Sequence, residues 1–314
     1  MTKNDCKKIK ILFLGTPKMS AYVLENLILA GYNVIGIVSQ PDKEKDRKGN
    51  LLETETKKVG KKYNIPVYQF DSLKENINDF KNISPELIIT IAYGKIVPED
   101  ILNIPKYGSI NLHGSILPKL RGAAPIQYAL FLGLKETGFT LMKMVKKMDA
   151  GDMYAKKIVT ISNDDNYTSL EEKMEKCASD LLLENIDKYL SNELIPVKQN
   201  EYEATFTSKI TKEDEKLSLD LKMNDFLNKI RGLSLVPGGF LYFNDKKFKI
   251  LQAKKLNNEQ KYQVGSLFVE PKNKLCLQLL DGSIILLKVQ LEGKKIMDGS
   301  SFLNGNHISN IVLK

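Results

Sequence analysis

Short apolar runs alternate with amphipathic stretches through the first half of the chain, the pattern of strands interleaved with helices. Lys10–Leu14 is an apolar run that stops at Gly15-Thr16-Pro17, and Met19–Ala30 comes next with helical spacing and Gly31 placed to cap it. Val34–Val38 predicts a second strand, after which Gln40-Pro41-Asp42 opens a charged loop through Asn50. Helices are expected over Leu51–Tyr63, Ser72–Lys81 and Ala124–Leu132, with extended runs at Ile65–Gln69, Leu87–Ala92, Ser109–His113 and Thr140–Met144. This order implies an α/β domain built on a mostly parallel sheet with both faces covered. Ligands in such sheets bind beyond the carboxyl ends of the strands, and Gly15-Thr16-Pro17, Tyr93-Gly94 and His113-Gly114 all fall there.

The pattern then changes. Tyr167–Leu190 reads as one long helix opened by Thr168, and Ser191–Thr205, with Pro196 and few sustained apolar positions, reads as a linker. A helix over Asn224–Arg231 precedes β-rich runs at Gly238–Leu251, Tyr262–Val269, Lys274–Leu280 and Ser283–Leu291. Asn244-Asp245, Pro271 and Asp281-Gly282 mark turns between them, so a small C-terminal β-barrel of about five strands is expected. The implied division is 1–190, a linker at 191–205, and 206–314.

With 314 residues the chain can bury a large core and form two domains. Its 42% hydrophobic and 27% charged content is that of an ordinary globular protein. No apolar run nears the roughly 20 residues a membrane span needs. Ile9–Leu14 is interrupted by Lys10 and is too short for a signal peptide. Cys6, Cys177 and Cys276 lie far apart without CxxC spacing, which fits a reducing cytoplasm and argues against disulfides or a metal cluster. The net charge of +9 is uneven: 205–314 carry 18 Lys and Arg against 11 Asp and Glu, while 1–204 carry 29 against 27. A local positive excess attracts phosphate backbones; a lysine-rich composition spreading solvated charge everywhere is the plainer alternative.

The candidate chemistry centres on Asn111 and His113. Residues i and i+2 of a strand face the same way, so a neutral amide and an imidazole share one face just before Gly114 ends the strand. An amide N–H can stabilise a developing oxyanion, and an imidazole moves protons near neutral pH, which together suggest acyl-type transfer at a carbonyl. A strand-end histidine bonded to backbone is the plainer reading of a bare Asn-x-His. Asp149, in the turn Met148-Asp149-Ala150-Gly151-Asp152, could orient His113 or simply bond its own backbone. Gly15-Thr16-Pro17 lacks the glycines of a dinucleotide loop, and no Walker-type motif is present.

The segment C-terminal to this pair is distinctive: Ser115-Ile116-Leu117-Pro118-Lys119-Leu120-Arg121-Gly122 runs into Ala123-Ala124-Pro125-Ile126-Gln127. This string resembles the methionyl-tRNA formyltransferase family. So do Phe13–Pro17, Gln40-Pro41-Asp42, Ala92–Pro98, Lys209–Asp214, and Gly293–Met297 together with Phe302-Leu303. The resemblance implies a Rossmann-like formyltransferase fold and, after it, an OB-fold-like barrel that binds tRNA. It implies transfer of the formyl group of 10-formyltetrahydrofolate to initiator methionyl-tRNA, by a cytoplasmic monomer without a metal. By position, Asn111, His113 and Asp149 correspond to the family's catalytic trio, Ser115, Ile116, Leu117 and Pro118 to its folate-binding segment, and Arg47 to an arginine that meets the tRNA acceptor end. Three departures are visible: Ala150 stands where the family often has Thr, Asp46-Arg47-Lys48-Gly49 replaces Gly-Arg-Gly-Lys, and Arg231–Pro237 lacks a common Trp and one Pro. The core string also occurs in other formyltransferases. A transferase acting on an amino sugar or a purine-pathway amine, a hydrolase of formyltetrahydrofolate, and a non-catalytic RNA-binding protein therefore stay open as alternatives.

Overall fold

The computed structural model describes residues 1–43, 49, 51–309 and 311–314. From the N-terminus run α1 (Lys3–Cys6), β1 (Ile11–Leu14), α2 (Lys18–Leu29), β2 (Val34–Ser39), α3 (Glu55–Tyr63) and β3 (Val67–Gln69). Next come α4 (Ile77–Ile83), β4 (Leu87–Thr90), α5 (Glu99–Leu102), β5 (Ser109–His113), β6 (Arg121–Gly122) and α6 (Pro125–Phe131). After them lie β7 (Glu136–Lys143), β8 (Met153–Thr160), α7 (Tyr167–Leu190), β9 (Phe206–Thr207) and α8 (Met223–Leu233). The chain ends with β10 (Gly239–Phe243), β11 (Lys246–Asn257), β12 (Leu267–Glu270), β13 (Lys274–Leu279), β14 (Gly282–Leu291), β15 (Met297–Asp298) and α9 (Gly299–Leu303).

Two compact units result: residues 1–122, 136–160 and 171–207 form the first, and 123–135, 161–170 and 208–314 the second. In the first, seven strands are ordered β3-β2-β1-β4-β5-β7-β8. The pairs from β3 through β5 are parallel, whereas β5–β7 and β7–β8 are antiparallel. Strands β1 and β4 are buried at every position, as central parallel strands covered on both faces must be. Strand order reverses between β2-β1 and β4-β5, so the crevice beyond the carboxyl ends of β1, β4 and β5 is the topological switch point. The alternation of strands and helices is as the apolar pattern predicts, with shifts that have local causes. The helix expected from Leu51 begins at Glu55, because Asp42 Oδ1 accepts the Thr54 N–H and the Thr54 hydroxyl pairs with Ser39. Strand β7 starts at Glu136, ahead of the expected Thr140, and β8 has no counterpart in the sequence reading, since Lys156-Lys157 interrupt its apolar pattern.

The second unit is an antiparallel sheet ordered β10-β11-β14-β13-β12, with β15 beside β14. Its open edges are closed by the chain end: Ile311 O accepts from Leu267 N–H, and Tyr242 exchanges two backbone hydrogen bonds with Lys314. A small barrel forms, filled by Leu241, Phe248, Leu277, Leu286 and Phe302. Helix α8 supplies Phe226, Ile230 and Leu233 to the same core. Gly232 lets α8 approach α6, since a Cβ there would lie 2.5 Å from the Phe131 ring.

Candidate active site

The end of β5 places Asn111 and His113 on one face, at the switch point. Asn111 is in register with Thr90, the last residue of β4, and with Met142 of β7; His113 is opposite Thr140. The intervening Leu112 is buried, which fixes the other side of the strand in the core. Asn111 is half-buried and its carboxamide makes no hydrogen bond to another described residue, so both amide protons remain available.

His113 is buried, and its two ring nitrogens have different neighbours. Nε2 lies 2.8 Å from the Leu120 carbonyl. A carbonyl only accepts, so Nε2 carries a proton there. Nδ1 faces Asp149 Oδ2 at 3.6 Å, beyond hydrogen-bond distance and still within ion-pair reach. One ring nitrogen is thus bonded to backbone, as the plainer reading has it, and the other faces a carboxylate.

Residues Leu120 to Gly122 are the hub that assembles this arrangement. The Leu120 carbonyl takes the His113 proton, and the Gly122 N–H donates to Asp149 Oδ2 at 2.8 Å. Leu120 and Asp149, the two residues that meet the imidazole, both have left-handed backbone, with φ of 59° and 51°. Non-glycine residues in this region cost on the order of 1–3 kcal/mol each and persist only where surroundings hold them. The holding contacts are visible. Leu120 N–H donates to Thr205 Oγ1 at 2.8 Å, and Arg121 N–H to the Thr205 carbonyl at 2.8 Å. Gly151 closes the Asp149 turn, because a Cβ there would sit 1.9 Å from the Lys143 carbonyl. Gly151→Ala is therefore expected to lower stability by about 1–3 kcal/mol, read as a lower denaturant midpoint; an unchanged midpoint would contradict the close approach.

The segment Ser115–Pro118 is rigidly tied beside this hub. Thr140 Oγ1 donates to the Ser115 carbonyl at 2.8 Å and accepts from Leu117 N–H at 3.1 Å. Lys156 Nζ donates to the Leu117 carbonyl at 2.6 Å, and Ser115 Oγ to the Lys119 carbonyl at 2.6 Å. Ile116 and Pro118 are half-buried, and Leu117 is buried. Arg47 lies outside the described residues. Among the described residues no group of three or more His, Cys, Asp and Glu is placed to hold a metal.

Sequence reasoning misses three residues of this assembly. Arg121 reads in the sequence as part of a basic loop, yet its side chain is 1% exposed. Its Nε donates to Gln199 Oε1 at 2.9 Å, and its two terminal nitrogens donate to the Glu201 carboxylate at 3.2 and 2.8 Å. Arg121 first, then Lys147, hold the Glu201 carboxyl down at about 2, well below the usual glutamate range. Gln199 Nε2 donates to the carbonyls of Asp149 and Gly151, both at 2.8 Å. Gln199 and Glu201 fall in the stretch that reads as a linker, whose composition carries no sign of these bonds. Charge complementarity between Arg121 and Glu201 is the one available signal.

Comparison with known proteins places this chain in a family. A formyl transferase model matches residues 7–186, and a formyl transferase C-terminal domain model matches 209–307. A methionyl-tRNA formyltransferase of Malacoplasma penetrans is 38% identical over 97% of this chain and 96% of its own length. The Dictyoglomus thermophilum enzyme of that name is 40% identical over 96% of this chain and 98% of its own. Among solved structures, HypX from Aquifex aeolicus in complex with tetrahydrofolic acid shares the fold over 94% of this chain and 47% of that one, with TM-score 0.65 and 16% identity. An N-formyltransferase from Helicobacter canadensis, bound to folinic acid and dTDP-3-aminofucose, matches 88% of this chain and 98% of that one, with TM-score 0.65 and 19% identity. With near-complete coverage by relatives of one name and both domain models in order, the chain belongs to the methionyl-tRNA formyltransferase family of formyl-transferring enzymes.

Proposed function

We infer that this chain transfers the formyl group of 10-formyltetrahydrofolate to the α-amino group of methionyl-initiator tRNA, giving N-formylmethionyl-tRNA for translation initiation. The observation that carries the reading is the free Asn111 carboxamide on the same strand face as His113, whose Nδ1 faces Asp149. The amine nitrogen attacks the formyl carbon, and the carbonyl electron pair moves onto oxygen. Asn111 donates an N–H to that oxyanion, where a fixed dipole needs no reorganisation. His113 Nδ1 takes the proton the amine loses and returns it to N10 as the C–N10 bond breaks, and Asp149 balances the charge on the ring while it holds that proton. Nε2 stays bonded to Leu120 throughout, so the ring keeps its orientation. In this reading Ser115–Pro118, a braced segment at the mouth of the switch point, lines the folate site.

The barrel unit supplies the hold on tRNA. Its support is the positive balance of residues 205–314, which suits a phosphate backbone and has no evident use for a small acceptor. Cytoplasmic action as a monomer accompanies this reading; no helix among the described residues is long and apolar enough to cross a membrane. The deciding assay offers 10-formyltetrahydrofolate with charged initiator tRNA, charged elongator tRNA or a nucleotide amino sugar. Formylation of initiator methionyl-tRNA alone is expected; preference for the sugar, or folate turnover without an acceptor, would contradict the reading. Arg47→Ala is expected to weaken use of charged tRNA while folate binding stays near normal. Equal losses in both would remove Arg47 from the acceptor site.

A further inference from the structure

The stretch between α7 and β9 does more than connect. Val197 exchanges two backbone hydrogen bonds with Met153, and Thr205 and β9 bond the Leu120–Gly122 hub. Between these anchors Gln199 satisfies its whole amide: both Nε2 protons go to the carbonyls of Asp149 and Gly151, and Oε1 accepts from the buried Arg121. Two carbonyls on one side and a guanidinium on the other leave only this orientation of the amide. The residue therefore grips the strained turn that carries Asp149 and links it to the side chain of the hub that carries Leu120 and Gly122. Each of those groups meets His113 or Asp149 directly.

We propose that Gln199 is a positioning residue for catalysis: it holds the Asp149 turn so that the carboxylate stays opposite His113 Nδ1. The proposal rests on the assignment of Asp149 to the reacting site. The three hydrogen bonds of the Gln199 amide all go to groups of the protein, so its effect is carried through the Asp149 turn. Without the two N–H donors the turn keeps its ends, through Lys147 to Glu201 and Lys143 N–H to the Asp152 carbonyl, while Asp149 itself keeps the Gly122 contact to Oδ2 and its left-handed backbone can relax. Glu201, more than half exposed at the rim of the same guanidinium, also pairs with Lys147, whose carbonyl accepts from Ala150 N–H, so it reaches the Asp149 turn through an exposed lysine side chain and makes no bond to Asp149 or Gly151.

The test compares Gln199→Met, which keeps length and removes every hydrogen bond, with Gln199→Glu, which keeps the acceptor for Arg121 and removes the donors. Both are assayed alone and combined with Asp149→Asn. A shift of about 1 Å in a reacting group costs on the order of 100-fold, so kcat is expected to fall by about that factor in each single variant, with KM for folate and tRNA nearly unchanged. In the Asp149→Asn background either substitution should cost less than about threefold, since coupled residues are not additive. Folate binding to each variant reports that it is folded; should Gln199→Met fail to fold, Gln199→Glu carries the test. Near-normal kcat in the folded single variants, a change confined to KM, or a full further loss on top of Asp149→Asn would each overturn the proposal. Full activity of Asp149→Asn alone would instead overturn the parent assignment, and the two failures are distinct.

Discussion

Asn111→Ala is expected to turn over about 100- to 1,000-fold more slowly than the unaltered chain, the usual cost of removing one oxyanion donor, the role proposed for this amide. The expectation comes from where the side chain stands. Asn111 sits two residues before the end of its strand at the switch-point crevice, and its amide makes no bond to any described residue. Truncation therefore leaves no buried partner orphaned, and the unfolding free energy should move by no more than about 1 kcal/mol. Folate binding should persist, because the braced segment from Ser115 to Pro118 draws its hydrogen bonds from Thr140 and Lys156 instead. Steady-state formylation rates and a folate titration measure both quantities. Turnover within about threefold of normal would mean that the developing charge is stabilised elsewhere.

Asp149→Asn tests the other half of the site. The substitution keeps shape, and an amide oxygen can still accept from Gly122 N–H, so the turn should hold. The negative charge opposite His113 Nδ1 is lost, and the ring can no longer be balanced while it carries the transferred proton. Proton transfer by a positioned side chain contributes about 100- to 10,000-fold, so kcat should fall within that range with little change in KM. The measurement is kcat and KM for both substrates, together with the denaturant midpoint. A variant that loses activity only because it has unfolded would show a shifted midpoint. A stable variant with normal kcat would remove the acid from the mechanism.

Much of this site is legible in the sequence because its signals are local. A strand period of 2 puts Asn111 and His113 on one face, and Gly114 marks where the strand must stop. The central strands β1 and β4 announce themselves as continuous apolar runs. Long-range features are harder to read. Strand β8 is interrupted by Lys156-Lys157, and Lys156 is spent on the Leu117 carbonyl, a partner 39 residues away. Arg121 looks like a surface cation because composition cannot show that Glu201, 80 residues on, reaches back to pair with it. For the same reason the stretch 191–205 reads as a linker: its hydrogen bonds to the hub and the Asp149 turn come from backbone atoms and from the side chains of Gln199, Glu201 and Thr205, whose partners lie far back in the sequence. The family resemblance reaches Asp149 by position, while spacing alone leaves it as either turn residue or partner of His113. The structure brings the carboxylate to the ring and shows that the turn is held from outside itself.

The central claim is that one formyl carbon is held against the Asn111 amide with His113 and Asp149 beside it. A crystal structure with a stable formyl-folate analogue tests it most directly. The formyl oxygen should lie about 2.7–3.1 Å from Asn111 Nδ2, with His113 Nδ1 on the side from which the amine approaches. A bound analogue whose formyl group points away from the end of β5, with Asn111 turned toward solvent, would contradict the account.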